Sequence, residues 1–278
     1  MPTVPTIQLN DGNAIPQLGL GVWQVPPEQT APTVLAAIAA GYTLIDTAQG
    51  YHNEEGVGAG IRAAGVDRSR LFVTSKLRTR DQRFDDALRS FEGSLGRLGL
   101  DYLDMFLIHW PVPGQDLYVE AWRALVRLQE EGRVRSIGVS NFLPEHIERI
   151  VAASGVRPAV NQIELHPEFQ QRDVRGFHAR HGIAIECYSP LGSGAVLDNS
   201  VLAEIAARHE RSPAQVALRW HLQQGLIVIP KTIHAERLRQ NIDVFDFELG
   251  AADMQRLAGL DRPDGRQNSN PASYNDIW

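Results

Sequence analysis

A single cysteine, Cys187, stands in a chain of 278 residues. No intrachain disulfide can form, so packing must hold the fold, and the chain suits a reducing compartment. No apolar run approaches the ~20 residues that span a bilayer. Residues 1–10 lack the basic-then-apolar pattern of a secretory leader. Positive charge is in deficit too, since 27 Lys and Arg against 33 Asp and Glu leave a formal net charge of −6. That balance excludes a general binder of phosphate backbones, though not one local basic pocket. Clustered metal ligands are missing. His178 and His181 sit one helical turn apart without a Cys or carboxylate partner, so both read as surface residues and no metal is expected. Nor does a Gly-x-Gly-x-x-Gly open any helix; Gly56-Val-Gly58-Ala-Gly60 has the wrong spacing and lies inside a helical run. What remains is a cytoplasmic globular protein with no nucleic acid, membrane or obligate protein partner.

Hydrophobic residues make up 43% of the chain and charged residues 22%, enough apolar material for a sizeable core. The length suits one domain over residues 1–278 better than two joined by a linker. The start reads as a hairpin, with extended runs over 6–9 and 14–16 around Asn10-Asp11-Gly12-Asn13. From there short apolar runs alternate with helical patterns, most of which end at a glycine. Strands are expected over 18–22, 42–46, 71–77, 102–109, 136–140, 159–164, 184–188 and 226–230. Helices are expected over 28–40, 54–64, 84–98, 117–131, 144–153, 172–181, 201–209, 213–224, 235–244 and 251–260. Strands separated by helices of this length pair in parallel, and eight such units can close on themselves. The fold class is therefore α/β, a (β/α)8 TIM barrel with an N-terminal β-hairpin and an extra C-terminal helix. An open doubly wound sheet is the competing arrangement.

Such barrels build their active sites at the carboxyl ends of the strands, where Asp46, Tyr51, Lys76 and His109 all fall. A carboxylate, a phenol, an ammonium and an imidazole make a proton-donating site that suits reduction of a carbonyl. No side chain gives hydride, so a nicotinamide cofactor is implied. Tyrosine is a poor acid near its ordinary pKa of about 10; a nearby ammonium favours the phenolate, so Lys76, held by Asp46, should make Tyr51 more acidic. His109 can donate to the substrate oxygen and orient it. Taken singly, each has a plainer reading: a snorkelling lysine, a helix-capping Asp46, a core histidine, a packed tyrosine. Their conjunction at neighbouring strand ends favours the site.

The stretches around these residues resemble the aldo-keto reductases. They are Asp46-Thr-Ala-Gln-Gly-Tyr51-His-Asn-Glu54, Phe72-Val-Thr-Ser-Lys-Leu77, Leu107-Ile-His-Trp-Pro111 and Gly138-Val-Ser-Asn141, then Asn161-Gln-Ile-Glu-Leu-His-Pro167, Tyr188-Ser-Pro-Leu-Gly192 and Ile229-Pro-Lys-Thr232. Within that family the chain looks most like bacterial 2,5-diketo-D-gluconate reductases, through Leu9-Asn-Asp-Gly-Asn13 and Asn53-Glu-Glu-Gly-Val57. The resemblance implies Tyr51 as proton donor, Asp46 and Lys76 as its tuning pair, and His109 as the orienting residue. It also implies a monomer that reduces aldehydes and ketones with NADPH.

For that cofactor the resemblance points to Ser140, Asn141 and Gln162 at the carboxamide and Tyr188 stacked on the ring. Leu191, Gly192 and Ser193 would lie along the pyrophosphate, and Val22, Trp23, Asp46, Ser189 and Pro190 are further cofactor-binding residues that the resemblance implies. Lys231, Thr232 and Arg237 enter a helix where free N–H groups favour an anion, which suits a 2′-phosphate. Gln240 and Asn241 would face the adenine. Trp23, Tyr51, His109 and Trp110 are expected to wall the substrate pocket, unless the tryptophans merely pack in the core. Many bacterial relatives carry Trp where this chain has Arg78. By strand alternation Arg78 can point with Lys76 to the pocket rim and favour anionic keto acids; a solvated loop arginine is the alternative. The polar tail, residues 264–274, can lie over the barrel mouth. Substrates transfer poorly within a family, so keto sugars, methylglyoxal and general aldehydes all stay open, as does a barrel that binds NADPH as a sensor without turnover.

Overall fold

Val, Ile, Leu and Phe dominate the short runs, and only a sheet covered on both faces buries such runs completely. The computed structural model describes residues 4–278, which leaves Met1, Pro2 and Thr3 of the expected leader-free start and domain outside the description. Strands β1 (Thr6–Gln8) and β2 (Ala14–Pro16) pair antiparallel as the expected hairpin. The barrel strands are β3 (Gly19–Gly21), β4 (Leu44–Asp46), β5 (Phe72–Leu77), β6 (Leu103–Ile108), β7 (Val134–Ser140), β8 (Val160–Glu164), β9 (Ala184–Tyr188) and β10 (Ile227–Val228). They lie in sequence order, and every neighbouring pair is parallel. Closure comes where Leu18 bridges Val228, with Val228 N donating to Gln17 O at 3.0 Å and Gly21 N to Pro230 O at 3.3 Å. The last strand is shorter than expected because Pro230, having no N–H, cannot continue the ladder.

Helices α1 (Pro27–Ala39), α2 (Glu54–Ala64), α3 (Phe84–Leu98), α4 (Tyr118–Glu130), α5 (Pro144–Ser154), α6 (Arg172–His181), α7 (Ser200–His209), α8 (Pro213–Gln223), α9 (Ala235–Ile242) and α10 (Ala251–Ala258) cover the outside. The glycine run that resembles no phosphate loop has a packing role on α2. A Cβ at Gly58 would lie 1.9 Å from Leu98 O of α3, and one at Gly60 2.7 Å from Ala31 O of α1. Only bare backbone lets these helices approach so closely.

The apolar core is divided in two. The larger part lies between sheet and helices. A smaller one fills the barrel, where Leu44, Phe72, Met105, Leu107, Val160 and Ile227 meet Leu9 and Ile15 from the hairpin. The hairpin thus seals the amino-terminal end, leaving the carboxyl ends of the strands as the open face.

Two minor expectations are corrected here. His178 is buried, with Nδ1 2.6 Å from Val174 O and Nε2 2.8 Å from Asn161 Nδ2; it braces the sheet instead of facing solvent. The loop around Arg80 is only partly solvated, since buried Gln82 donates to Trp110 O at 2.6 Å.

Candidate active site

Strand alternation turns Lys76 of β5 into the barrel, where it is wholly buried. An ammonium without water needs partners on every side. Its Nζ donates to Asp46 Oδ1 at 2.6 Å, to Thr47 O at 3.0 Å and to Tyr51 OH at 3.2 Å. Tyr51 ends a short 3-10 turn just after β4, which places its hydroxyl above the lysine. The His109 ring meets the Tyr51 ring edge-on, centroids 5.5 Å apart. The four residues expected at the strand ends therefore form one cluster.

Their electrostatics differ from expectation in one respect. Lys76 does pull Tyr51 toward ionisation, but burial of the phenol outweighs it, so Tyr51 lies above its usual pKa of 10.0. The phenol is thus a protonated donor whose acidity Lys76 partly restores. Burial works to lower Lys76, yet the Asp46 charge and hydrogen bond and Tyr51 more than offset it, pushing the ammonium up to about 12. His109 is held well below its usual 6.5, first by burial and then by Lys76, so its ring is neutral. Its Nδ1 is buried without a partner.

Asp46, Tyr51 and His109 floor a cavity of about 740 Å³ at the open end of the barrel. Of the residues expected at the cofactor and substrate, Trp23, Ser140, Asn141, Gln162, Tyr188, Ser189, Pro190, Leu191, Ser193, Lys231, Arg237 and Trp110 line it. Tyr188 OH donates to Asn141 Oδ1 at 2.9 Å, while Asn141 Nδ2 donates to His109 O at 3.1 Å and Ser140 Oγ at 3.0 Å. That lattice fixes the tyrosine ring as one wall. Gln162 Nε2 donates to Asp46 Oδ2 and to Glu186 Oε2, at 2.9 and 2.7 Å. At the far end Lys231 and Arg237 are exposed beside the N-terminus of α9, whose cap residue gives no side-chain hydrogen bond.

Other expected residues stand back from the wall. Val22 lies beneath Gly21, its N donating to Asp46 O at 3.1 Å. Gly192 is buried beside Val196, and Thr232 Oγ1 accepts from His234 N at 3.1 Å. Gln240 is exposed one turn along α9, next to buried Asn241. Arg78 is a correction: it does not line the cavity. β5 ends at Leu77, and the Arg78 guanidinium turns to Asp81, held at 2.5 Å. The competing carboxylate, three residues on, decides its direction.

Sequence reasoning missed Gly21, Gly50, Trp278 and Glu186. The tail reaches further than expected, crossing the mouth to the last residue. Trp278 packs edge-on against His109 with centroids 5.1 Å apart, and a Cβ on Gly50 would meet its ring at 2.2 Å. Tyr274 stacks on Trp110 at 4.1 Å. Glu164 anchors the tail by accepting from Gln267 N and Asn268 N, at 2.7 and 3.1 Å. A tail tryptophan and a strand glutamate carry no local signal that would single them out.

The geometry agrees with comparisons to known proteins. The Aldo/keto reductase family profile matches residues 15–262. An aldo-keto reductase of Mycobacterium sp. (strain JLS) is 50% identical, with 98% of each chain covered. The glyoxal reductase of Bacillus subtilis (strain 168) is 47% identical, with 96% of each covered. A crystal structure of a Gox0644 mutant in complex with NADPH superposes with a TM-score of 0.95 at 50% identity, covering 98% of this chain and 99% of that one. The chain belongs to the Aldo/keto reductase family.

Proposed function

We propose that the protein reduces small aldehydes and ketones with NADPH, Tyr51 supplying the proton. The observation that carries this reading is the hydroxyl of Tyr51, 3.2 Å from a buried ammonium and beside a neutral imidazole at the floor of one cavity. The cavity suits the cofactor. Its far end has two cations beside a free helix N-terminus, fit for a 2′-phosphate, and its near end has the Tyr188 ring and the Gln162 amide. When bound, the reduced nicotinamide supplies hydride. Nε2–H of His109 and the Tyr51 hydroxyl orient the carbonyl oxygen, and as negative charge develops there the phenol gives up its proton. Lys76 steadies the phenolate that remains, and Asp46 keeps Lys76 in place.

Aromatic rings of Trp23, Trp110, Tyr274 and Trp278 frame the space above this floor. With Arg78 turned to Asp81, no free cation among the described residues lines the near end to favour a carboxylate. That supports small neutral carbonyls such as methylglyoxal or glyoxal over keto acids and diketogluconate; relatives at 48% and 47% identity are a methylglyoxal reductase and a glyoxal reductase. Following NADPH consumption over a panel of aldehydes, ketones and keto acids tests this. Turnover should be fastest with small neutral dicarbonyls. A preference for keto acids would overturn the substrate reading, and tight NADPH binding without any turnover would favour a sensor.

A further inference from the structure

Glu186 is a buried ionisable group that this chemistry does not use. It sits on β9 opposite Gln162 of β8, so its side chain points into the barrel, out of reach of solvent. Gln162 Nε2 has two hydrogens, and it bonds one carboxylate at 2.9 Å and another at 2.7 Å, Asp46 and Glu186. The amide cannot be turned round, because its oxygen would then face the Asp46 carboxylate oxygen. An unbroken line of hydrogen bonds therefore runs from Glu186 through Gln162, Asp46 and Lys76 to the Tyr51 hydroxyl.

Charge counting decides where a proton resides. Among the described residues, the hydrogen-bonded line holds one cation, Lys76, and two carboxyl groups, Asp46 and Glu186. Lys76 touches Asp46 at 2.6 Å, while no ion pair joins it to Glu186 among the described residues. Glu186 Oε1 is buried without any partner. An ionised carboxylate with a bare oxygen in a dry interior is the costliest form, and two carboxylates at one site do not both ionise cheaply. Burial pushes both carboxyls up, but Asp46 holds the ammonium at 2.6 Å and so takes the charge, which leaves the proton to Glu186. Other elements offer Glu186 no relief. Its partner on β10 is apolar Ile227. Glu164 of β8 is engaged with the tail, and Arg175 of α6 acts on Cys187 at the outer face.

We propose that Glu186 is a positioning residue of the reaction, acting through Gln162 and Asp46: while protonated it leaves the Lys76 charge to Asp46 and Tyr51, and on ionising it makes Tyr51 a weaker acid and so sets the alkaline edge of reduction. This rests on Tyr51 being the proton donor. Burial first and Asp46 second push Glu186 up to about 8, and an ionised Glu186 raises the phenol further.

Two measurements on wild type and Glu186→Gln test the proposal. In the first, kcat/KM for a neutral aldehyde is followed against pH. Wild type should fall by roughly tenfold one unit above its alkaline midpoint, and Glu186→Gln, which keeps the acceptor but cannot ionise, should hold its own neutral value through that range. In the second, infrared spectra are taken on both proteins without coenzyme at neutral pH. Wild type should show the carbonyl stretch of a protonated carboxylic acid that the variant lacks. An absent band, or an alkaline limb that does not move, overturns the proposal and leaves the reductase reading standing. A Tyr51→Phe protein that still reduces substrate overturns that reading itself.

Discussion

His109 stays neutral because burial and the Lys76 ammonium both oppose its protonation. Its contribution to stability is present above the ordinary value of 6.5 and is lost as pH falls through the depressed value in the folded state. The rate of reduction should therefore stay level across the usual histidine range, with no acid limb near 6.5. A profile of kcat/KM that bends there, and loses the bend in His109→Gln, would show a charged imidazole at work instead. Residues of this kind were legible in the sequence, since Asp46, Tyr51, Lys76 and His109 each stand at a strand end where polar side chains have little structural reason to be. Arg78 was misread for a physical reason. Alternation holds only within a strand, and β5 stops one residue earlier, where Asp81 captures the guanidinium. The acidity of Tyr51 was misjudged because sequence reveals a neighbouring charge more readily than the depth of burial that opposes it.

At the scale of elements, the tail behaves as a strap fastened at two points. Glu164 holds its start through two backbone N–H groups. Trp278 holds its end, with N donating to Thr79 Oγ1 at 2.8 Å and its carbonyl accepting from Arg80 N at 3.3 Å. Removing Trp278 alone should raise KM for small carbonyls by roughly tenfold through lost apolar contact, while NADPH affinity stays within a few-fold. Steady-state kinetics with a parallel NADPH titration reads the split; an unchanged KM would show that the ring is no part of the pocket. Helix and strand order could be read from periodicity and from the glycines that end helices. The tail's place over the mouth could be read from its polar, Gly- and Pro-bearing composition, but its two fastenings could not, because they are made with residues more than a hundred positions away.

On the scale of the whole molecule, the helical layer depends on backbones that approach without side chains between them. Gly58→Ala would force a methyl into Leu98 O, 1.9 Å from its ideal position, and overpacking of this kind costs about 1–3 kcal/mol. Thermal unfolding should fall by several degrees while any residual folded enzyme keeps its KM. A variant as stable as wild type would mean that α2 and α3 pack loosely. The barrel itself was legible in eight apolar runs spaced by helices. The division of its core was not, because the same hydrophobic residues line both faces of a parallel strand.

The central claim is that a buried Lys76 and Asp46 ready the Tyr51 hydroxyl to protonate a carbonyl while NADPH is consumed. Following NADPH consumption with methylglyoxal by wild type and Tyr51→Phe, alongside NADPH binding to each, tests it most directly. The account predicts a loss of at least about a hundredfold in kcat for the variant, with NADPH affinity nearly unchanged. A Tyr51→Phe protein that reduces methylglyoxal at a rate near wild type would contradict it.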